Sequence, residues 1–227
     1  MNENNDFING KITPALVRFA IPIFGTVLLQ FLYGIVDMLI IGNSCDKTSV
    51  SAISVGSLIT YVATVLINGL ISGFAVLLGN SVGKGDKEKA GEVIGTALAF
   101  FGGLAVVMTI GMALLTPYLV KFMKTPEESF DKTVQYVFIC SLGMVFIIAF
   151  NLFSGFFRGI GNSKIPLLCV FIACLINIVG DIVLINGFHM DVAGAAIATI
   201  FAQAMSVLLS FFFVKKQKLP LDISLRD

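Results

Sequence analysis

The sequence predicts an all-α integral membrane protein, a bundle of six transmembrane helices. Three observations carry that expectation. Hydrophobic residues make up 57% of the 227 positions and charged ones only 13%, with a mean hydropathy of +0.96, far from the balance of a soluble domain. Six apolar stretches each reach the roughly 20 residues that a helix needs to cross the hydrocarbon core. Lys and Arg segregate to alternate ends of those stretches.

Taken in order, the first stretch covers 16–41 and carries Pro22 early. The second, 50–82, holds no charge and is long enough to tilt or to extend past the headgroups. Gly83-Lys84-Gly85-Asp86 breaks it from the third, 89–120, which has Pro117 in its last turns. Lys124-Thr125-Pro126-Glu127-Glu128 opens the fourth, 127–157, with Thr125 expected as the N-cap and Pro126 at the first helical position. Arg158-Gly159-Ile160-Gly161-Asn162-Ser163 leads into the fifth, 164–186, and the sixth is 191–214. Residues 1–14 then read as an N-terminal segment, 15–214 as the transmembrane unit and 215–227 as a polar linker or tail. Gly is frequent at 22, which suits close helix packing in lipid.

The charges orient the bundle. One set of ends holds Lys11, Arg18, Lys84, Lys87, Lys89, Arg158, Lys164, Lys215, Lys216, Lys218 and Arg226; the other holds Lys47, Lys121, Lys124 and Lys132. The excess on the first set places both termini in the cytoplasm of a cell (plasma) membrane protein, and an even helix number agrees. Lys11 and Arg18 imitate the basic flank of a signal peptide, but the apolar stretch beside them is too long and holds Asp37.

The sequence weighs against several function classes. A net charge of +1 offers no basic surface for nucleic acid. Cys45, Cys140, Cys169 and Cys174 show no metal-ligand spacing, and three lie in apolar runs as small hydrophobes. One His, in a loop, and no nucleophile–base set argue against an enzyme. Gly83-Lys84-Gly85 lacks the strand and the subsequent Lys-Ser/Thr of a nucleotide cradle, so it is a turn. A channel stays an alternative reading, although no repeated ring or filter segment is visible.

Two carboxylates stand out inside the spans. Asp37 lies in the apolar run 19–42 and Asp181 in 165–188, and neither run contains Lys or Arg. A charge at mid-bilayer costs about 2.5–3.5 kcal/mol on insertion scales, and such residues by default serve an ion, proton or substrate route. Asn177 and Asp181, four apart, share a helix face, as do Gln30, Tyr33, Gly34, Asp37 and Ile41 on the first helix. Thr199, Gln203 and Ser206 share a face of the sixth helix, and Asn151 is the lone amide of its stretch on the fourth. Two carboxylates with amide and hydroxyl oxygens suit a hard monovalent cation or a proton shared between acids. The structural alternative has Asp37 reaching the interface and Asp181 bonded to Asn177 for packing alone.

At these residues the chain resembles the multidrug and toxic compound extrusion (MATE) family. Pro22, Gln30, Asp37 and Gly42 are similar to its opening helix. Gly79-Asn80-Ser81-Val82-Gly83-Lys84-Gly85-Asp86 resembles its second-to-third loop, where Gln is commoner at Asn80. Arg158-Gly159-Ile160-Gly161-Asn162-Ser163-Lys164-Ile165-Pro166 is similar to its fourth-to-fifth loop, and Gly194-Ala195-Ala196-Ile197-Ala198-Thr199 to the start of its sixth helix. Single motifs are weak; their order and spacing through the whole chain are specific.

The resemblance implies one lobe of a MATE-type transporter. Its activity would be efflux of drugs or other organic cations by antiport against Na⁺ or H⁺, without a cofactor. The family's cation site maps onto Asp37, Asn151, Asn177, Asp181 and Thr199, with Na⁺ at Asp37, Asn177 and Asp181. Gln30, Tyr33 and Gln203 are the candidate substrate-cavity residues. Related saccharide-lipid flippases tend to place basic residues in the cavity, and these spans hold none. The family usually has twelve helices in two lobes. Length therefore favours a truncated or split gene product, ahead of half of a complex with a second six-helix lobe, or a homodimer. A non-transporting membrane protein with structural acids is the rival reading.

Overall fold

The computed structural model describes residues 12–216, so the expected N-terminal segment and tail lie almost wholly outside the described residues. The chain forms α1 (Ile12–Ser44), α2 (Lys47–Gly83), α3 (Lys87–Phe122), α4 (Glu127–Leu142), α5 (Met144–Gly159), α6 (Lys164–Asp181), a π-helical turn (Ile182–Gly187) and α7 (Asp191–Lys216). No strand occurs among the described residues. Five helical segments are long and apolar enough to cross a membrane, and α4 with α5 makes a sixth bent by 50°.

Two packed groups build the bundle. The larger core joins α2, α3, α4, α5 and part of α7 through Ile53, Ile71, Phe101, Val137, Phe157 and Val192. A smaller one, Phe150, Cys169, Val170 and Cys174, holds α6 against α5, α7 and α1. Helix α1 is the least engaged: it packs mainly on α6 and buries only Pro22 and Ile41. Its exposed Phe24, Phe31 and Leu39 need lipid or a partner surface.

The ends of the helices agree with alternating spans. The end of α1 meets the starts of α4 and α7, where Lys132 pairs with Asp46 and Asp191. At the opposite end α2 and α5 close together; a Cβ on Gly159 would lie 3.0 Å from the Ala75 carbonyl oxygen.

Three local expectations are corrected. The fourth span is broken at Gly143, where a Cβ would collide with Ile200 of α7. Thr125 does not cap α4: its hydroxyl donates to the Val120 carbonyl at 2.9 Å, and Pro126 takes the N-cap position without a side-chain bond. The fifth span does not run as an α-helix to 186. Directly after Asp181 it widens into the π turn, with Phe188 N donating to Val183 O at 3.1 Å.

Candidate functional site

The acids predicted from their cost come together. Asp181 ends α6 with no exposed surface, and Asn177 one turn earlier is 2% exposed. Asp37, two turns before the end of α1, is half-buried. Its carboxyl group lies within hydrogen-bonding reach of that of Asp181. The described residues offer most of these oxygens no donor. Asp37 Oδ1, both Asp181 oxygens and Asn177 Oδ1 are buried with no hydrogen-bond partner.

Asn177 shows why its oxygen is left over. Its amide nitrogen donates to Thr199 Oγ1 of α7 at 3.4 Å, which turns Oδ1 away from that bond. Three residues therefore offer four acceptor atoms and no donor. Buried acceptors left unpaired are costly, and an all-oxygen set of this kind fits a hard cation or one proton held between two acids. Among the described residues no group of three His, Cys, Asp or Glu gathers. The cluster is an acid pair with the Asn177 amide one turn before Asp181 on the same face.

A partly open pocket lies next to this pair. Gln30 and Tyr33 of α1, Asn177 of α6, and Thr199 and Gln203 of α7 all line it. Asn177 thus belongs both to the cavity wall and to the face that carries Asp181, one turn away. Gln203 Oε1 is buried without a partner, so the cavity has an acceptor of its own. Phe150, Val170 and Cys174 supply apolar wall. Their composition gave no signal, because an apolar side chain facing a cavity reads like one facing the core. Asp37, Asp181 and Asn151 are the candidates not in the wall, and of these Asn151 is tied to its own helix. Its amide donates to the Ile147 carbonyl of its own helix at 2.7 Å.

Comparison with known proteins gives consistent matches. The MatE family model matches residues 22–183. A probable multidrug resistance protein, YpnP of Bacillus subtilis (strain 168), is 31% identical over 214 residues, covering 94% of this chain and 48% of the relative. The multidrug export protein MepA of Staphylococcus aureus (strain bovine RF122 / ET3-1) is 24% identical over 224 residues, 97% of this chain and 49% of its own. Among solved structures, a MOP superfamily transporter from Pyrococcus furiosus superposes with a TM-score of 0.89 at 25% identity. It covers 100% of this chain and 50% of that one, and is described by the reversed polarity of its binding pocket, suggesting a different function. The chain spans about half the length of the curated relatives it matches.

Proposed function

This chain belongs to the MatE family, and on that premise we propose that it is the ion-coupling lobe of a secondary active exporter of drugs or other organic cations. The observation that carries the reading is the set of unpartnered buried oxygens on Asp37, Asn177 and Asp181 beside the cavity. Na⁺ or H⁺ entering there supplies the missing electropositive partner. Loading draws the two carboxylates together, and with them α1 and α6. Helix α1 is free to respond because it buries little, and because Pro22 removes a backbone donor and offers a bend point. Gly25, three residues on, is the second weak point.

In this reading the substrate, an amphipathic organic cation, occupies the cavity between this lobe and a second six-helix lobe. Gln30, Tyr33 and Gln203 contact it. Both termini face the cytoplasm of the cell membrane. Names of relatives as multidrug resistance and export proteins support the substrate class. Half-length coverage supports the need for a second lobe.

The test is export of a fluorescent organic cation from vesicles holding this chain together with a candidate second lobe, under an imposed Na⁺ or pH gradient. Gradient-driven export lost in Asp37→Asn is the expected result. Export that survives this change removes the coupling role. Absence of export by every lobe combination favours a non-transporting protein with structural acids.

A further inference from the structure

A second polar cluster stands beyond the coupling acids. Asp46, between α1 and α2, caps α2 by accepting from the Ser49 amide at 2.8 Å. Asp191 opens α7. Between them Lys132 of α4 places Nζ 3.0 Å from Asp46 Oδ1 and 2.8 Å from Asp191 Oδ2, and it also donates to the Ser49 hydroxyl. Ser49 is fully buried, with its hydroxyl 2.9 Å from Asp191 Oδ2. One ammonium thus holds carboxylates from two different helix junctions.

Each arm of this clasp leads back to one coupling acid. Asp37 stands nine residues before Asp46, and Asp181 ten before Asp191. Along a helix nine residues span about 14 Å. The arm from Asp181 is unusual. It runs through the π turn and then through His189 and Asp191, which take φ of 53° and 50°. Non-glycine residues hold left-handed backbone only where their surroundings fix them, and π turns are enriched at functional sites. The arm from Asp37 is the end of α1, whose only buried residue there is Ile41. Lys132 links the ends of the two arms.

We propose that Lys132 is a positioning residue for the coupling site: by bridging Asp46 and Asp191 it sets the separation of Asp37 and Asp181. Ion loading of those acids in turn tightens the clasp, because coupling between two sites is reciprocal. The inference rests on the coupling reading of Asp37 and Asp181. Exposed ion pairs contribute little to stability, and the Asp46 side chain is 60% exposed. Removing the ammonium should therefore leave the fold and alter the ion response.

Cys45 provides a reporter. It is half-buried beside Asp191, and burial pushes its thiol up to about 11, so it reacts slowly while the clasp is shut. The other three cysteines are buried.

The experiment tracks thermal unfolding of the full chain against Na⁺ at fixed pH and against pH at fixed Na⁺, with Cys45 alkylation measured in parallel. Lys132→Met should weaken the ion midpoint about fivefold, at the low end of couplings between sites, and Lys132→Arg should recover most of it. Loading should slow Cys45 alkylation in the unaltered chain relative to Asp37→Asn under the same conditions. An unchanged midpoint in Lys132→Met overturns the positioning role. If that variant does not fold, a Cys45 rate that never departs from the Asp37→Asn rate overturns it instead. An ion response that survives Asp37→Asn defeats the coupling reading itself. Loss in Asp37→Asn with no change in Lys132→Met defeats the clasp alone.

Discussion

Asp37, Asn177 and Asp181 meet with acceptors and without a donor, and each consequence at the residue scale starts there. Asp181→Asn brings an NH₂ group in the same volume and so supplies the donor that an ion would otherwise replace. We expect this variant to fold and to lose gradient-driven export by at least about tenfold, roughly 1.4 kcal/mol, measured as dye efflux. Thr199→Val removes the acceptor that orients the Asn177 amide at 3.4 Å. A neutral hydrogen bond contributes about 0.5–1.5 kcal/mol, so the ion midpoint of the thermal shift should weaken a few-fold. The clasp responds in a different pH range. Hydrogen bonds from the Ser49 hydroxyl and amide, then from Lys132, hold the Asp46 carboxyl well below the usual carboxylate range. A depressed carboxylate contributes stability above its unfolded value, about 3.9, and loses it as pH falls through the folded value. Asp46→Asn should therefore flatten only the acid limb of a pH–stability curve, below about pH 4. Any response between pH 5 and 8 belongs elsewhere. Asp37 and Asp181 were legible in the sequence because a charge in lipid is costly enough to need a reason. Lys132, Asp46 and Asp191 were not, because charges at helix ends need none.

At the scale of elements, the six spans arise from apolar length, and the departures arise from contacts far away in sequence. Gly143, at the break of the fourth span, lets Ile200 of α7 into the space a Cβ would fill, and nothing local announces that approach. Gly143→Ala should lower stability by about 1–3 kcal/mol, the usual cost of overpacking, and Gly143→Ala with Ile200→Ala should recover part of it in thermal unfolding. The π turn was also hidden: the run Ile182–Gly187 is as apolar as the helix before it. Its wider turn lets the chain leave Asp181 in one direction and present Asp191 in another. Deleting Ile182 should restore an α-helical register and rotate the rest of that turn by about 100° against α6. The expected outcome is a folded chain whose thermal midpoint no longer responds to Na⁺ or pH. Thr125 illustrates the opposite error. Its position before Pro126 satisfies the sequence rule for an N-cap, but the Val120 carbonyl ending α3 captures its hydroxyl first.

On the scale of the whole molecule, membership of the MatE family and the TM-score of 0.89 over the complete chain establish the architecture. The exposed apolar faces of α1 and α3 agree with a body that meets lipid or a second lobe. The alternation of spans predicted which helix ends lie together, and the Lys132 cluster gathers the end of α1 with the starts of α4 and α7 on one side. The cavity was legible only through its polar residues. Gln30, Tyr33, Asn177, Thr199 and Gln203 share one wall, whereas Phe150 and Val170 became visible only once the helices were placed. The central claim is that Asp37 and Asp181 bind the coupling ion within this lobe. Its most direct test is thermal unfolding of the purified 227-residue chain across Na⁺ concentration and pH, beside Asp37→Asn and Asp181→Asn. Stabilisation of the unaltered chain on ion loading, absent from both variants, is the expected result; a response of full size in both variants would contradict it.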